Sequence, residues 1–183
     1  MKKLYKPIFV FCSCIMFLGF NSCDVLEQLF LNLKVSEEFH AVGDESEIFA
    51  SIDDCFSNYP AFNDNFDKIQ TLKYVSAAYY SLEWTPSNLG GNNIYAEIRD
   101  CDGNIILTQS IPMAFASDFF EDPYEFILTQ EEIDTFNQFL VNYQTCDCFF
   151  GVISISPVTP ANSPPYTLDG VVEIIIEIEA KLD

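Results

Sequence analysis

The chain is expected to fold as an antiparallel β-sandwich, Ig-like or jelly-roll-like, with about seven strands and one short α-helix. Three observations predict it. Apolar residues recur at every second position in segments separated by Pro, Gly, Asn and Asp. One segment alone carries capped helical spacing. No alternation of strands with helices is visible, which argues against a parallel nucleotide-binding sheet.

The elements follow in order. In 29–35, Leu29, Leu31, Leu33 and Val35 alternate with polar or exposed positions, as in a half-buried strand. In 47–52, Ile48, Ala50 and Ile52 share a second strand face. Residues 53–66 are rich in Asn, Asp, Ser and Pro and read as a loop. The long strand 72–84 puts Leu72, Tyr74, Ser76, Ala78, Tyr80, Leu82 and Trp84 on one face. Its other, mixed face carries Lys73, Val75, Ala77, Tyr79, Ser81 and Glu83, which makes Tyr79 the best exposed aromatic candidate. Residues 94–99 and 105–111 form a hairpin across Asp102-Gly103, since Asp-Gly between apolar runs is a strong turn signal.

A short strand is expected near 124–128. Thr129 with Glu132 forms a capping box, and Ile133, Phe136, Leu140 and Tyr143 follow on one helical face. A strand at 147–156 precedes a proline-rich surface loop over 157–170. The last strand, 171–182, is the cleanest: Val172, Ile174, Ile176, Ile178, Ala180 and Leu182 face one way. Its length predicts a place inside the sheet.

The N-terminus reads as a targeting segment. Lys2, Lys3 and Lys6 precede an apolar run over 8–20, in the layout of a secretory signal. That run is short of the ~20 residues that cross a bilayer as a helix. It ends in Phe20-Asn21-Ser22-Cys23. This ending resembles the lipobox of bacterial lipoproteins, with Ser22 as the small residue before the cysteine and Phe20 departing from the usual Leu, Val or Ile. The resemblance implies that 1–22 are removed, that Cys23 is acylated, that 23–28 form a tether and that 29–183 form one domain. It implies export to the bacterial cell envelope, on the outer membrane or cell surface, with the lipid bilayer as partner through Cys23. The body also resembles small envelope β-sandwich lipoproteins in general architecture.

After Cys23, the 28 acidic residues face only Lys34, Lys68, Lys73, Arg99 and Lys181. That balance excludes nucleic acid as a partner, because phosphate binding depends on clusters of Lys and Arg. Four cysteines remain in the body: Cys55, Cys101, Cys146 and Cys148. An even number in an exported chain predicts disulfides. A Cys146–Cys148 ring would be too tight, so each pairs with Cys55 or Cys101, in either combination. The spacing Cys146-Asp147-Cys148 is one residue short of a zinc-binding pair.

No nucleophile or phosphate-binding motif is present, and His40 is the sole histidine, read as a surface residue. The pairs Asp53-Asp54, Glu121-Asp122 and Glu131-Glu132 are uninformative in so acidic a chain, and a hydrolase using paired carboxylates ranks last. No cofactor is expected apart from calcium, for which Asp100, Asp102 and Asn104 offer clustered oxygens that equally suit a turn. The rings Phe115, Phe119, Phe120, Tyr124 and Phe126 read first as core. The expectation is a non-enzymatic, membrane-anchored binding or structural module whose partner is an envelope protein or an extracellular glycan. The alternative is a calcium-dependent carbohydrate-binding or adhesion module.

Overall fold

In a computed structural model, the described residues are 28–44, 47–82, 89–156, 158–159 and 165–182. The segment expected to be a signal, Cys23 and Trp84 lie outside them. Among the described residues there are nine strands: β1 (Gln28–Gly43), β2 (Ile48–Cys55), β3 (Ile69–Ser81), β4 (Gly90–Asp100), β5 (Ile105–Phe115), β6 (Tyr124–Glu125), β7 (Cys148–Ile155), β8 (Val158–Thr159) and β9 (Tyr166–Lys181). Two helices accompany them, the single turn α1 (Pro60–Asn63) and α2 (Gln130–Val141).

The hydrogen-bonded order is β5-β4-β7-β2-β1-β9-β3-β6, with β8 on β4 and every pairing antiparallel. β1 and β2 pair only at Val42↔Phe49 and Gly43↔Ile48, beside their connection. The path folds there into two layers, β1-β9-β3-β6 and β2-β7-β4-β5, which is the strand order of a jelly roll. Of the two expected sandwich types, the topology selects this one. β6, of two residues, falls within the short strand expected near 124–128, whereas β8, also of two residues, lies in the stretch expected to be a loop and is too short to leave a periodic signal.

β9 lies between β1 and β3 and pairs with β1 from Gln28↔Lys181 to Gly43↔Tyr166. Its inward row from Tyr166 through Leu168, Ile174, Ile176 and Ile178 to Ala180 is buried. Leu33, Val35, Phe39 and Ala41 of β1 join it from one side and Ile48, Ala50, Ile153 and Ile155 from the other layer. β1 continues eight residues past the predicted end at Val35, because Glu37 occupies an inward position and interrupts the apolar alternation there. Leu182, expected on the apolar face of the last strand, is exposed just beyond β9.

β3 departs from the expected phase. Tyr74 pairs with Ile176 and Ser76 with Ile175, so Val75 is an extra, bulged residue. The bulge reverses the faces beyond it: Ala77, Tyr79 and Ser81 turn inward. Tyr79 is 1% exposed, donates to or accepts from Ser81 Oγ at 2.7 Å, and packs on Phe39 and Phe119. The expectation that Tyr79 is an exposed candidate is therefore wrong. A one-residue insertion in a period-two element flips every later side chain.

α2 begins as predicted. Glu132 N–H donates to Thr129 Oγ1 at 3.3 Å and Thr129 N–H donates to Glu132 Oε2 at 2.7 Å. Phe136, Phe139 and Leu140 are buried. The helix also caps an open strand edge, since Tyr74 N–H donates to Asn137 Oδ1 at 2.8 Å.

The segment expected to be a plain loop at 53–66 instead completes β2 and then forms a strap, residues 56–68, made of short helical turns. Phe56 and Phe62 are buried from it, against Phe139, Phe149 and Tyr143. Turns of three or four residues show no periodicity, so Asn, Asp and Pro dominated that reading.

Candidate binding face

Among the described residues, the cavity between the two layers is too small for a ligand. A cavity of about 20 Å³ lies between the layers, lined by Val35, Ile52, Ala96, Ile98, Ile153 and Ile174 among others. That is space for roughly one water, whereas ligand pockets run to hundreds of Å³. A larger open groove, about 580 Å³, runs between the β4–β5 turn and α2, with Asp100, Asn104, Glu131, Asp134 and Thr135 along it. Asp134 there accepts from Gln130 Nε2 at 2.8 Å.

The outer face of the β2-β7-β4-β5 layer has a different character. Register places Phe49, Ser154, Tyr95 and Ser110 in one row across it. The next row is Ser51, Val152, Glu97 and Thr108, and the third is Asp53, Phe150, Arg99 and Ile105. Phe49 is 49% exposed, Phe150 42% and Tyr95 36%. With strands ~4.8 Å apart, Phe49 and Tyr95 are two strands, roughly 10 Å, from each other.

A polar row on β4 sits among these rings. Tyr95 Oη donates to Glu97 Oε2 at 2.7 Å, and Arg99 Nε donates to Glu97 Oε1 at 2.5 Å. Arg99 Nη1 also donates to Gly103 O at 2.9 Å. The hydrogen bond to Glu97, followed by burial, raises the Tyr95 hydroxyl above the usual tyrosine range, so it stays a donor. Period-two spacing puts Tyr95, Glu97 and Arg99 on one side of the strand while Ile94, Ala96 and Ile98 fill the core on the other. The sequence reading missed this face, although the outward phase of β4 and β7 was available as its signal.

The predicted site residues fall as follows. The two disulfides are Cys55–Cys148, joining cross-strand partners on β2 and β7, and Cys101–Cys146, joining the β4–β5 turn to the end of α2. Asp100 Oδ1 accepts from the N–H groups of Asp102 at 2.9 Å and Asn104 at 2.8 Å, and Oδ2 accepts from Asn104 Nδ2 at 2.9 Å. Burial, the largest single influence, raises its carboxyl, but these donors together outweigh it and hold the group below the usual aspartate value. Gly103 takes a left-handed φ of 83°, as the turn requires. Asp102 is exposed; among the described residues no group of three His, Cys, Asp or Glu side chains is arranged to hold a metal ion.

His40 is exposed on the opposite outer face, with Nδ1 2.6 Å from Asp169 Oδ1. Further along β1 on that face, Lys34 pairs with Glu173 at 2.6 Å. Of the aromatic segment, Phe126 is buried, Phe119 and Tyr124 pack together and Phe115 is exposed. Among the described residues, no helix is long and apolar enough to cross a membrane.

No protein-family model and no curated protein matches the chain. Solved structures give distant likenesses. A chain of Desmodium yellow mottle tymovirus aligns over 84% of this chain and 90% of its own, at 9% identity and a TM-score of 0.39. One of tobacco necrosis virus aligns over 84% of this chain and 98% of its own, at 13% identity and a TM-score of 0.30. One of infectious bursal disease virus covers 85% of this chain and 37% of its own, at 9% identity and a TM-score of 0.31. At these scores the likeness bears on neither family nor function.

Proposed function

We propose that the protein is a non-enzymatic binding module of the bacterial cell envelope, anchored by lipid on Cys23, that takes a neutral extracellular glycan on the outer face of its β2-β7-β4-β5 layer. The observation that carries this reading is the exposure of Phe49, Tyr95 and Phe150 on one outer face that also holds the Tyr95–Glu97–Arg99 row. Aromatic rings accept the C–H faces of sugars, and the Tyr95 hydroxyl and Arg99 guanidinium, both held in place by the buried Glu97, match sugar hydroxyls. The excess of acidic residues disfavours a polyanionic glycan.

Calcium is not needed for this reading, because Asp100 spends its oxygens on the turn it closes. Two experiments test the proposal. Gels containing neutral polysaccharides should retard the wild type and not a Phe49→Ser/Phe150→Ser double variant. Metabolic labelling with a palmitate analogue should mark the wild type and not Cys23→Ala. A label retained in Cys23→Ala, or absent from both, overturns the anchoring half.

A further inference from the structure

Two carboxyl groups meet at one hydroxyl inside the end of the sandwich. Glu37 faces inward from β1, Asp54 faces inward from β2 at 5% exposure, and Tyr59 reaches between them from the strap. Tyr59 Oη lies 2.7 Å from Asp54 Oδ2 and 3.0 Å from Glu37 Oε1. A phenol carries a single proton, so it donates to one of these oxygens and not to both. The second short oxygen–oxygen contact needs a proton of its own. Asp54 already gathers the Cys55 N–H at 2.8 Å and Asn58 Nδ2 at 2.7 Å, so it is the acceptor of the set. The extra proton belongs on Glu37, which donates to Tyr59 while Tyr59 donates to Asp54.

We propose that this one proton on Glu37 locks the strap 56–68 onto β1, and that its loss as pH rises unfastens the strap from the end of the sandwich. The surroundings offer no easy substitute for it. Asp53 and Lys34 point to the outer faces, and Lys34 is paired with Glu173. Asp147, leading into β7, accepts from Ser57 N–H at 3.2 Å and so adds negative charge at the strap's start. Glu97 of β4 turns its carboxylate to the outer face, where Arg99 holds it; β9 contributes Val172 and Ile174 to the cavity beside Glu37. Asp64, Asp67 and Lys68 lie further along the strap.

The electrostatics agree in direction. Burial raises the Glu37 carboxyl most, the Tyr59 hydrogen bond pulls it back, and the charge on Asp54 raises it again, for a net upward displacement. A group raised in the folded state lends stability that is complete below its ordinary value and is lost as pH climbs through its folded value. The alkaline side is therefore where the clamp opens.

Urea unfolding between about pH 5 and about pH 9 tests this. The wild type should lose up to about tenfold in its folding constant per pH unit across the Glu37 titration. Glu37→Gln, whose amide donates to Tyr59 without ionising, should lose that slope; a variant that keeps the wild-type slope overturns the proposal. Carboxyl carbon NMR on the wild type supplies the second readout, independent of any variant's folding. Glu37 should titrate above the ordinary glutamate range, and in the same step the amides of Asn63 and Asp64, bonded within the strap, should lose exchange protection. Titration of Glu37 in the ordinary range, or strap amides indifferent to it, contradicts the clamp.

Discussion

Phe49 and Tyr95 stand on one face of one layer, aligned across Ser154 of the strand between them, and both are exposed. Neither fills the core. Phe49→Ser should therefore change stability by no more than about 0.5 kcal/mol, as surface substitutions do. Phe56→Ala, by contrast, empties a fully buried position packed on Phe62, Phe139 and Phe149 and should cost about 3–5 kcal/mol. Chemical unfolding of both variants checks the contrast. A Phe49→Ser loss as large as that of Phe56→Ala would mean the ring serves packing.

Gly170 sits on the inward side of β9, where a Cβ would come within 2.6 Å of Phe39 Cζ and 3.0 Å of Tyr80 O. The Phe39 ring lies there because Phe39 is the register partner of Gly170 on β1, and the ring stacks on Tyr79. Gly170→Ala should push Phe39 against Tyr79 and cost about 1–3 kcal/mol, the usual cost of overpacking. A melting temperature equal to wild type would show that the ring has room to move.

The Cys101–Cys146 bridge closes a separation of 45 residues and ties the β4–β5 turn to the end of α2. Cys101→Ser/Cys146→Ser should lose about 2–4 kcal/mol, chiefly by freeing the unfolded chain. Calorimetry of the oxidised wild type against the variant gives the difference, and no shift would contradict it.

Asp100 gives a pH dependence opposite in sign to that of Glu37. Its folded carboxyl lies below the usual aspartate value, so the stability it lends is present above that value and is lost as pH falls through the folded one. Asp100→Asn should flatten the acid limb of an unfolding profile below about pH 4. Millimolar calcium should leave the wild-type melting temperature unchanged, because the turn already engages both carboxylate oxygens of Asp100.

How much of this was readable from residues alone depends on the period of each element. β9 from Val171 on, and α2, were legible because their apolar residues keep regular spacing and Thr129 and Glu132 cap each other; the first five residues of β9, Tyr166–Gly170, fall in the stretch expected to be a loop, because the prolines before them dominated that reading. The Asp-Gly hairpin was legible because Gly103 needs a left-handed φ. The bulge at Val75 was not, since an extra residue leaves no mark in composition, and with it went the face of Tyr79. Glu37 was a signal passed over: it falls in phase with Leu33, Val35 and Phe39, and an acid in an apolar phase points to a buried partner. That partner, Tyr59, lies in a segment whose turns are too short to announce themselves. The cysteine pairing needed the register of β2 on β7, which puts Cys55 opposite Cys148.

Affinity electrophoresis through gels cast with neutral polysaccharides, run on the wild type and on Phe49→Ser/Phe150→Ser, tests the binding face most directly. The account predicts a wild type retarded by at least one of these glycans and a double variant that migrates as in an empty gel while melting at the wild-type temperature. A wild type retarded by none of them, or a double variant retarded equally, would contradict it.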